Sequence, residues 1–150
     1  PVNSVDGYTI DWPTGAHEVL DDLISKSWCG LFLTFDYGLP KPILMHERPE
    51  GTARAYYKHQ LESNLFARPG EQDLTCHLCW DELSNCLSLH NFKKIELQNQ
   101  ESFFMHHAQN KIKSLIENPS NSVDLKVQKL KEIIHPQHFG SKFQALSALR

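Results

Sequence analysis

Gly30-Leu31-Phe32-Leu33-Thr34-Phe35-Asp36-Tyr37-Gly38 decides the fold class. Apolar residues run through it without alternation and stop abruptly at a carboxylate, the pattern of a parallel strand covered on both faces. Upstream, Ala16, Val19, Leu20, Leu23 and Ile24 recur at i, i+3, i+4, i+7 and i+8, a single buried stripe on a helix that Thr14 is placed to cap. Tyr8-Thr9-Ile10-Asp11, ahead of Trp12-Pro13, reads as a short strand. Strand, helix and strand form a βαβ unit, whose crossover puts both strands parallel in one sheet. The fold class is α/β.

Beyond this unit, Pro40, Pro42, Pro49 and Pro69 interrupt residues 39–72. The segment reads as a long loop or lid, either functional or holding short strands that the pattern does not place. Leu83, Cys86, Leu87 and His90 then have helical spacing, and Phe92, Ile95 and Leu97 suggest a strand. Phe103, Phe104, Ala108, Ile112, Leu115 and Ile116 line one longer helix, which Asn118-Pro119-Ser120-Asn121-Ser122 breaks. Val123, Val127, Leu130, Ile133 and Ile134 mark a further helix, and the segment Phe139–Leu146 leans towards a strand.

The totals exclude several classes. A chain of 150 residues suits one domain with a real core. A net charge of −3, from 15 Lys+Arg against 18 Asp+Glu, leaves no cation excess to neutralise a phosphate backbone, so nucleic acid is not an expected partner. No apolar run reaches the ~20 residues of a membrane helix and no signal peptide is visible, so a cytoplasmic protein without membrane contact is expected.

In open α/β sheets ligands collect beyond the carboxyl ends of strands, which puts Asp36, Tyr37 and Gly38 where a site is expected. Two later clusters, Gly51-Thr52-Ala53-Arg54-Ala55-Tyr56-Tyr57-Lys58-His59 and Pro69-Gly70-Glu71-Gln72-Asp73-Leu74-Thr75-Cys76-His77, mix carboxylates, guanidinium, imidazole and aromatic rings. Carboxylates such as Glu71 and Asp73 can hold a cationic substrate, and His59 or His77 can take a proton near neutral pH. The competing reading is a solvated loop.

Taken in order, the run Gly30–Gly38, Gly51-Thr52-Ala53-Arg54-Ala55-Tyr56 and Gly70-Glu71-Gln72-Asp73-Leu74-Thr75-Cys76-His77 resemble the MidA-like family of methyltransferases. Asn99-Gln100-Glu101-Ser102-Phe103-Phe104 and Phe139-Gly140-Ser141-Lys142-Phe143-Gln144-Ala145-Leu146 are similar to later segments of the same family. Five such pieces in order, from about Thr9 to the end of the chain, are more specific than any one of them. The resemblance implies the C-terminal portion of a Rossmann-like class I methyltransferase that uses S-adenosylmethionine. For mitochondrial members it implies protein arginine methylation in complex I assembly. On that reading Glu71 and Asp73 orient the guanidinium, with His77 beside them as a catalytic candidate. Asp36, Tyr37, Gly38, Arg54 and Tyr56 line the substrate side.

The glycine-rich turn that lets a backbone approach the cofactor needs a Gly-x-Gly pattern, and all seven glycines here are isolated. The expectation is a chain that lacks the cofactor-binding half, binds no S-adenosylmethionine alone, is inactive in isolation, and dimerises through an exposed sheet edge. The partner of the parent protein is a protein substrate. The rival is a non-enzymatic interaction domain stabilised by zinc on Cys76, Cys79, Cys86 and His90. Against it, zinc sites separate their two ligand pairs by a longer loop, and Cys86 and His90 fit the apolar stripe of Leu83 and Leu87. No metal is expected.

Overall fold

Apolar spacing locates the longer helices and strands of the computed structural model, which describes residues 6–117 and 125–150. In chain order they are helix α1 (Thr14–Ser25), strands β1 (Leu31–Asp36) and β2 (Gly38–Leu39), helix α2 (Lys41–His46), and strands β3 (Arg54–Tyr57), β4 (Gln60–Glu62), β5 (Asp73–Thr75) and β6 (Leu78–Cys79). Helix α3 (Trp80–Leu89), strand β7 (Lys93–Asn99), helices α4 (Gln100–His107), α5 (Gln109–Glu117) and α6 (Leu125–Ile134), a π-type turn (Pro136–Gly140) and strand β8 (Gln144–Leu149) follow. The breaker at 118–122 and Val123 lie outside the described residues. The chain divides into two compact units, one formed by residues up to Ser27 with Gly38–His90, the other by Trp28–Tyr37 with Asn91–Arg150.

The second unit holds a sheet in the order β1-β8-β7. The last strand runs down the middle, antiparallel to both neighbours, from Leu31↔Leu149 to Asp36↔Gln144 on one side and from Lys93↔Leu149 to Asn99↔Gln144 on the other. A bulge between Lys93 and Glu96, with Lys94 at φ 49°, adjusts the second ladder. Two expectations fail here. Tyr8–Asp11 is not a strand, since only Thr9 bridges to Glu50, and β1 has no parallel neighbour among the described residues. Nor is β1 covered on both faces: none of its residues is buried, and Leu31 is 57% exposed. The doubly covered strand is β8, where Ala145, Leu146, Ser147 and Ala148 are all buried in succession. An apolar run reports a tendency to be buried; it carries no information about which distant segment will pair with it.

Packing around this sheet is aromatic. Phe35 stacks on Phe104 at 5.3 Å and meets Phe103 edge-on at 5.2 Å, while Trp28 and Phe32 each meet Phe92 edge-on. The buried Gln100 donates its side-chain amide to the Ile133 carbonyl at 2.8 Å, satisfying an orphan acceptor in the last turn of α6. Its backbone N–H donates to Phe143 O at 2.9 Å. Gly140 lies so close to the end of α6 that a Cβ there would overlap the Ile134 carbonyl. The expected long helix over Phe103–Ile116 is two helices, parted at Ala108 (φ −120°); no residue type announces the break. The segment expected to be a strand from Phe139 is a turn first and a strand only from Gln144.

In the first unit α3 packs against α1 and α2. Leu20 and Ile24 of α1, Leu44 of α2, and Trp80, Leu83 and Leu87 of α3 are buried. The start of α2 is tied to α3 twice: Lys41 N donates to Asp81 Oδ2 at 2.6 Å and Lys41 Nζ pairs with Glu82. Pro42 sits in the first turn of α2, where a missing N–H costs nothing. The long connection at 39–72 therefore holds α2, β3 and β4. The β3–β4 hairpin turns through Lys58 (φ 50°) and His59 (φ 65°), a two-residue left-handed turn built without the usual glycine or asparagine. That absence is why the hairpin is invisible in the sequence. Thr14 does not cap α1; the cap position is Pro13, with no side-chain cap bond.

Candidate functional site

The first unit contains a small antiparallel sheet in the order β4-β3-β5. Side chains alternate along β3, and Ala55 is fully buried, so Arg54 and Tyr56 point the other way and are exposed. Register settles their neighbours. Tyr56 is directly opposite Leu61 on β4 and Asp73 on β5, and Arg54 is opposite Thr75. Directly paired residues in an antiparallel ladder share a face with Cβ atoms about 4.5–5.5 Å apart. Arg54, Tyr56, Leu61, Asp73 and Thr75 thus form one face carrying a cation, a phenol, a carboxylate and an apolar group. Leu61 lies outside the clusters read from sequence, and Thr75 has no role assigned within its own, because nothing local shows what β3 pairs with.

Glu71 stands just before β5, in a turn where its N–H donates to Arg68 O at 3.1 Å and Gly70 is left-handed (φ 81°). His77 follows β5, and its N–H donates to Thr52 Oγ1 at 3.1 Å. The predicted residues Glu71, Asp73 and His77 therefore lie before, on and after one short strand. The turn leading to β5 is braced: Arg68 stacks its guanidinium over the Tyr57 ring at 4.2 Å and pairs with Glu62 at 2.6 Å, and the Gln72 amide donates to Leu65 O. The hydrogen bond from Arg68 holds the Glu62 carboxyl below its usual value.

The strand-end residues divide between the units. Asp36 and Tyr37 close β1 in the second unit: Asp36 Oδ1 accepts from Tyr37 N at 2.8 Å, and the Tyr37 ring meets Phe143 edge-on at 5.4 Å. Gly38 belongs to the first, where β2 pairs in parallel with β6. A Cβ on Gly38 would stand 2.6 Å from both the Leu78 carbonyl and Trp80 Nε1, so backbone approach accounts for glycine there.

The four metal-ligand candidates do not converge. Among the described residues no three His, Cys, Asp or Glu side chains form a group able to hold a metal ion. Cys79 is fully buried, and Cys86 Sγ donates to Asp21 Oδ1 at 3.1 Å. Burial first and the Asp21 carboxylate second push the Cys86 thiol up to about 11, from a usual 9.0. The thiolate, the reactive and metal-binding form, is scarce at neutral pH. At pH 8 an alkylating agent is expected to label the exposed Cys29 first, the half-buried Cys86 more slowly, and the buried Cys79 only after unfolding; peptide mass mapping checks the order, and labelling of Cys86 ahead of Cys29 would contradict this environment.

The seven glycines are isolated along the chain. Gly38, Gly51 and Gly140 give up their side-chain space to Trp80 and Leu78, to Asp11 and to Ile134 respectively, and Gly7, Gly15, Gly30 and Gly70 have nothing near them. The chain holds no Gly-x-Gly turn of the kind that lets a backbone approach S-adenosylmethionine.

Residues 1–98 match the family model described as "Putative S-adenosyl-L-methionine-dependent methyltransferase". The chain belongs to this methyltransferase family. Its fold agrees with that of a protein from Burkholderia thailandensis, solved as a "likely methyl transferase" bound to S-adenosyl-homocysteine, with a TM-score of 0.85 at 17% identity over 99% of this chain. An uncharacterised protein of the same superfamily and organism matches with a TM-score of 0.78 at 18% identity over 90% of this chain. This methyltransferase-family chain spans 39% and 37% of the lengths of those two proteins. No curated protein matches it. The mixed α/β fold expected from sequence holds, and no helix among the described residues is long and apolar enough to cross a membrane.

Proposed function

We propose that this chain supplies the acceptor-binding side of a MidA-like, S-adenosylmethionine-dependent protein methyltransferase whose acceptor is an arginine side chain. The observation that supports this reading is the β4-β3-β5 face, where Asp73 is directly opposite Tyr56 beside Arg54, with Glu71 at the entry to the same strand. A guanidinium is planar and always charged, so carboxylates fix its orientation through charge-assisted hydrogen bonds. Asp73 and Glu71 take that role. Tyr56 offers a ring face to the cation, Arg54 offers a cation to an acidic residue beside the acceptor arginine, and His77 stands ready to accept a proton as the nitrogen loses it. The cofactor, when bound, supplies an activated methyl group.

The test is methyl transfer by the whole protein from labelled S-adenosylmethionine into protein arginine, identified after hydrolysis. Asp73→Asn and Glu71→Gln are each expected to lower kcat/KM by about tenfold or more, the loss of one charge-assisted bond worth ~1.4 kcal/mol or above. Unchanged turnover in either variant removes that residue from the site, and unchanged turnover in both overturns the reading of this face.

A second proposal concerns association. Among the described residues β1 pairs on one edge only, and its Leu31 and Leu33 are exposed. An apolar strand with an open ladder is a template for another strand. The isolated chain is expected to dimerise with rising concentration in sedimentation velocity, and Leu33→Lys to suppress it; a monomer at high concentration would refute the proposal.

A further inference from the structure

We infer that Asp11 is the positioning residue of the acceptor face. It belongs to none of the clusters singled out above, and it stands just before α1, where a carboxylate is ordinarily read as a helix cap. The cap position is instead Pro13, without a side-chain cap bond. The carboxylate turns to a different segment: Asp11 Oδ2 accepts from Thr52 N at 2.5 Å and from Ala53 N at 2.8 Å. The partner segment is shaped for it. Gly51 is left-handed (φ 69°), and any Cβ there would overlap the Asp11 carboxylate. The next residue, Thr52, is only 3% exposed, and its hydroxyl oxygen accepts from His77 N at 3.1 Å.

These contacts make a relay. Asp11 holds the two amides immediately ahead of Arg54, the first residue of β3, and Thr52 carries the hold to His77, just past the end of β5. One carboxylate therefore sets where β3 begins and where β5 ends, and the face of Arg54, Tyr56 and Asp73 lies between. The arrangement also explains why Gly51 and Thr52 precede Arg54: the glycine makes room for a carboxylate and the threonine passes the constraint on. The functional meaning of the relay rests on the acceptor-face reading, whereas its existence does not.

Amide hydrogen exchange on the full chain separates the two. Asp11→Ala is expected to accelerate exchange at Thr52, Ala53 and also His77 by about tenfold, the scale of a charged hydrogen bond. Asp11→Asn, whose amide oxygen accepts only neutral bonds, is expected to shift the same three amides by a smaller factor. It serves as the test if the alanine variant does not fold. Thr52→Val is expected to release His77 while leaving the N–H of Ala53 protected. Leu146, in the other unit, should be unaffected throughout. Protection at His77 that ignores the Asp, Asn, Ala series overturns the inference, as does a uniform loss across both units, which would reduce Asp11 to a general stabiliser. In methyl transfer by the whole protein, Asp11→Ala is expected to raise the acceptor KM about tenfold with the KM for S-adenosylmethionine unchanged. Normal activity in both Asp73→Asn and Glu71→Gln would sink the acceptor-face reading, while the exchange pattern would still decide the relay.

Discussion

Leu146→Ala is expected to destabilise the protein by about 2–5 kcal/mol, the range for removing a fully buried leucine and leaving a partly collapsed cavity. Leu146 is fully buried on β8, opposite Thr34 on one side and Leu97 on the other. Its neighbours Ala145, Ser147 and Ala148 are also buried and small, so no adjacent β8 side chain is long enough to fill the space. For a chain of this size each kcal/mol corresponds to roughly 2–4 °C, giving an expected fall in Tm of roughly 4–20 °C by circular dichroism. Leu149→Ala, at the 38% exposed end of the same strand, should cost much less. Equal losses at the two positions would mean that β8 is not the covered centre of its sheet.

Gly38→Ala is expected to cost about 1–3 kcal/mol or more, because the added Cβ would stand 2.6 Å from the Leu78 carbonyl and from Trp80 Nε1. Neither neighbour can give way cheaply. Leu78 belongs to β6, which pairs with β2 at this point, and Trp80 is 2% exposed at the start of α3. The control is Gly15→Ala in α1, where a Cβ meets nothing within 4 Å and the substitution should stabilise by roughly 0.5–1 kcal/mol through helix propensity. Urea titration followed by tryptophan fluorescence distinguishes the two. If Gly38→Ala kept full stability and weakened only the acceptor interaction, the glycine would be a substrate contact, as the strand-end argument expects, rather than a packing requirement.

These glycines show how the five motif pieces divide. Gly38, Gly51, Thr52, Gln100 and Gly140 are occupied with close backbone approach or internal hydrogen bonds. Arg54, Tyr56 and Asp73 are left on an open face. Both groups look alike in sequence, as polar or glycine-rich punctuation in a loop. What separates them is the pairing of β3 with β4, through a glycine-free hairpin at Lys58-His59, and with β5, a segment remote along the chain.

The sequence alone determined where α1 and α3 lie, through the spacing of Leu20 and Ile24 and of Leu83 and Leu87, because helical periodicity is a local property, but it gave no sign of α2 or of the break at Ala108. It also carried membership of an S-adenosylmethionine-dependent methyltransferase family, since several short motifs in order are a linear signal. Only the tertiary structure decided that β1 pairs with the end of the chain rather than with Tyr8–Asp11, that β8 and not β1 is buried on both sides, and that Asp73 stands opposite Tyr56. Strand pairing joins residues that are remote along the chain, and its energy comes from contacts that exist only once both partners are in place, so no window of sequence can contain it.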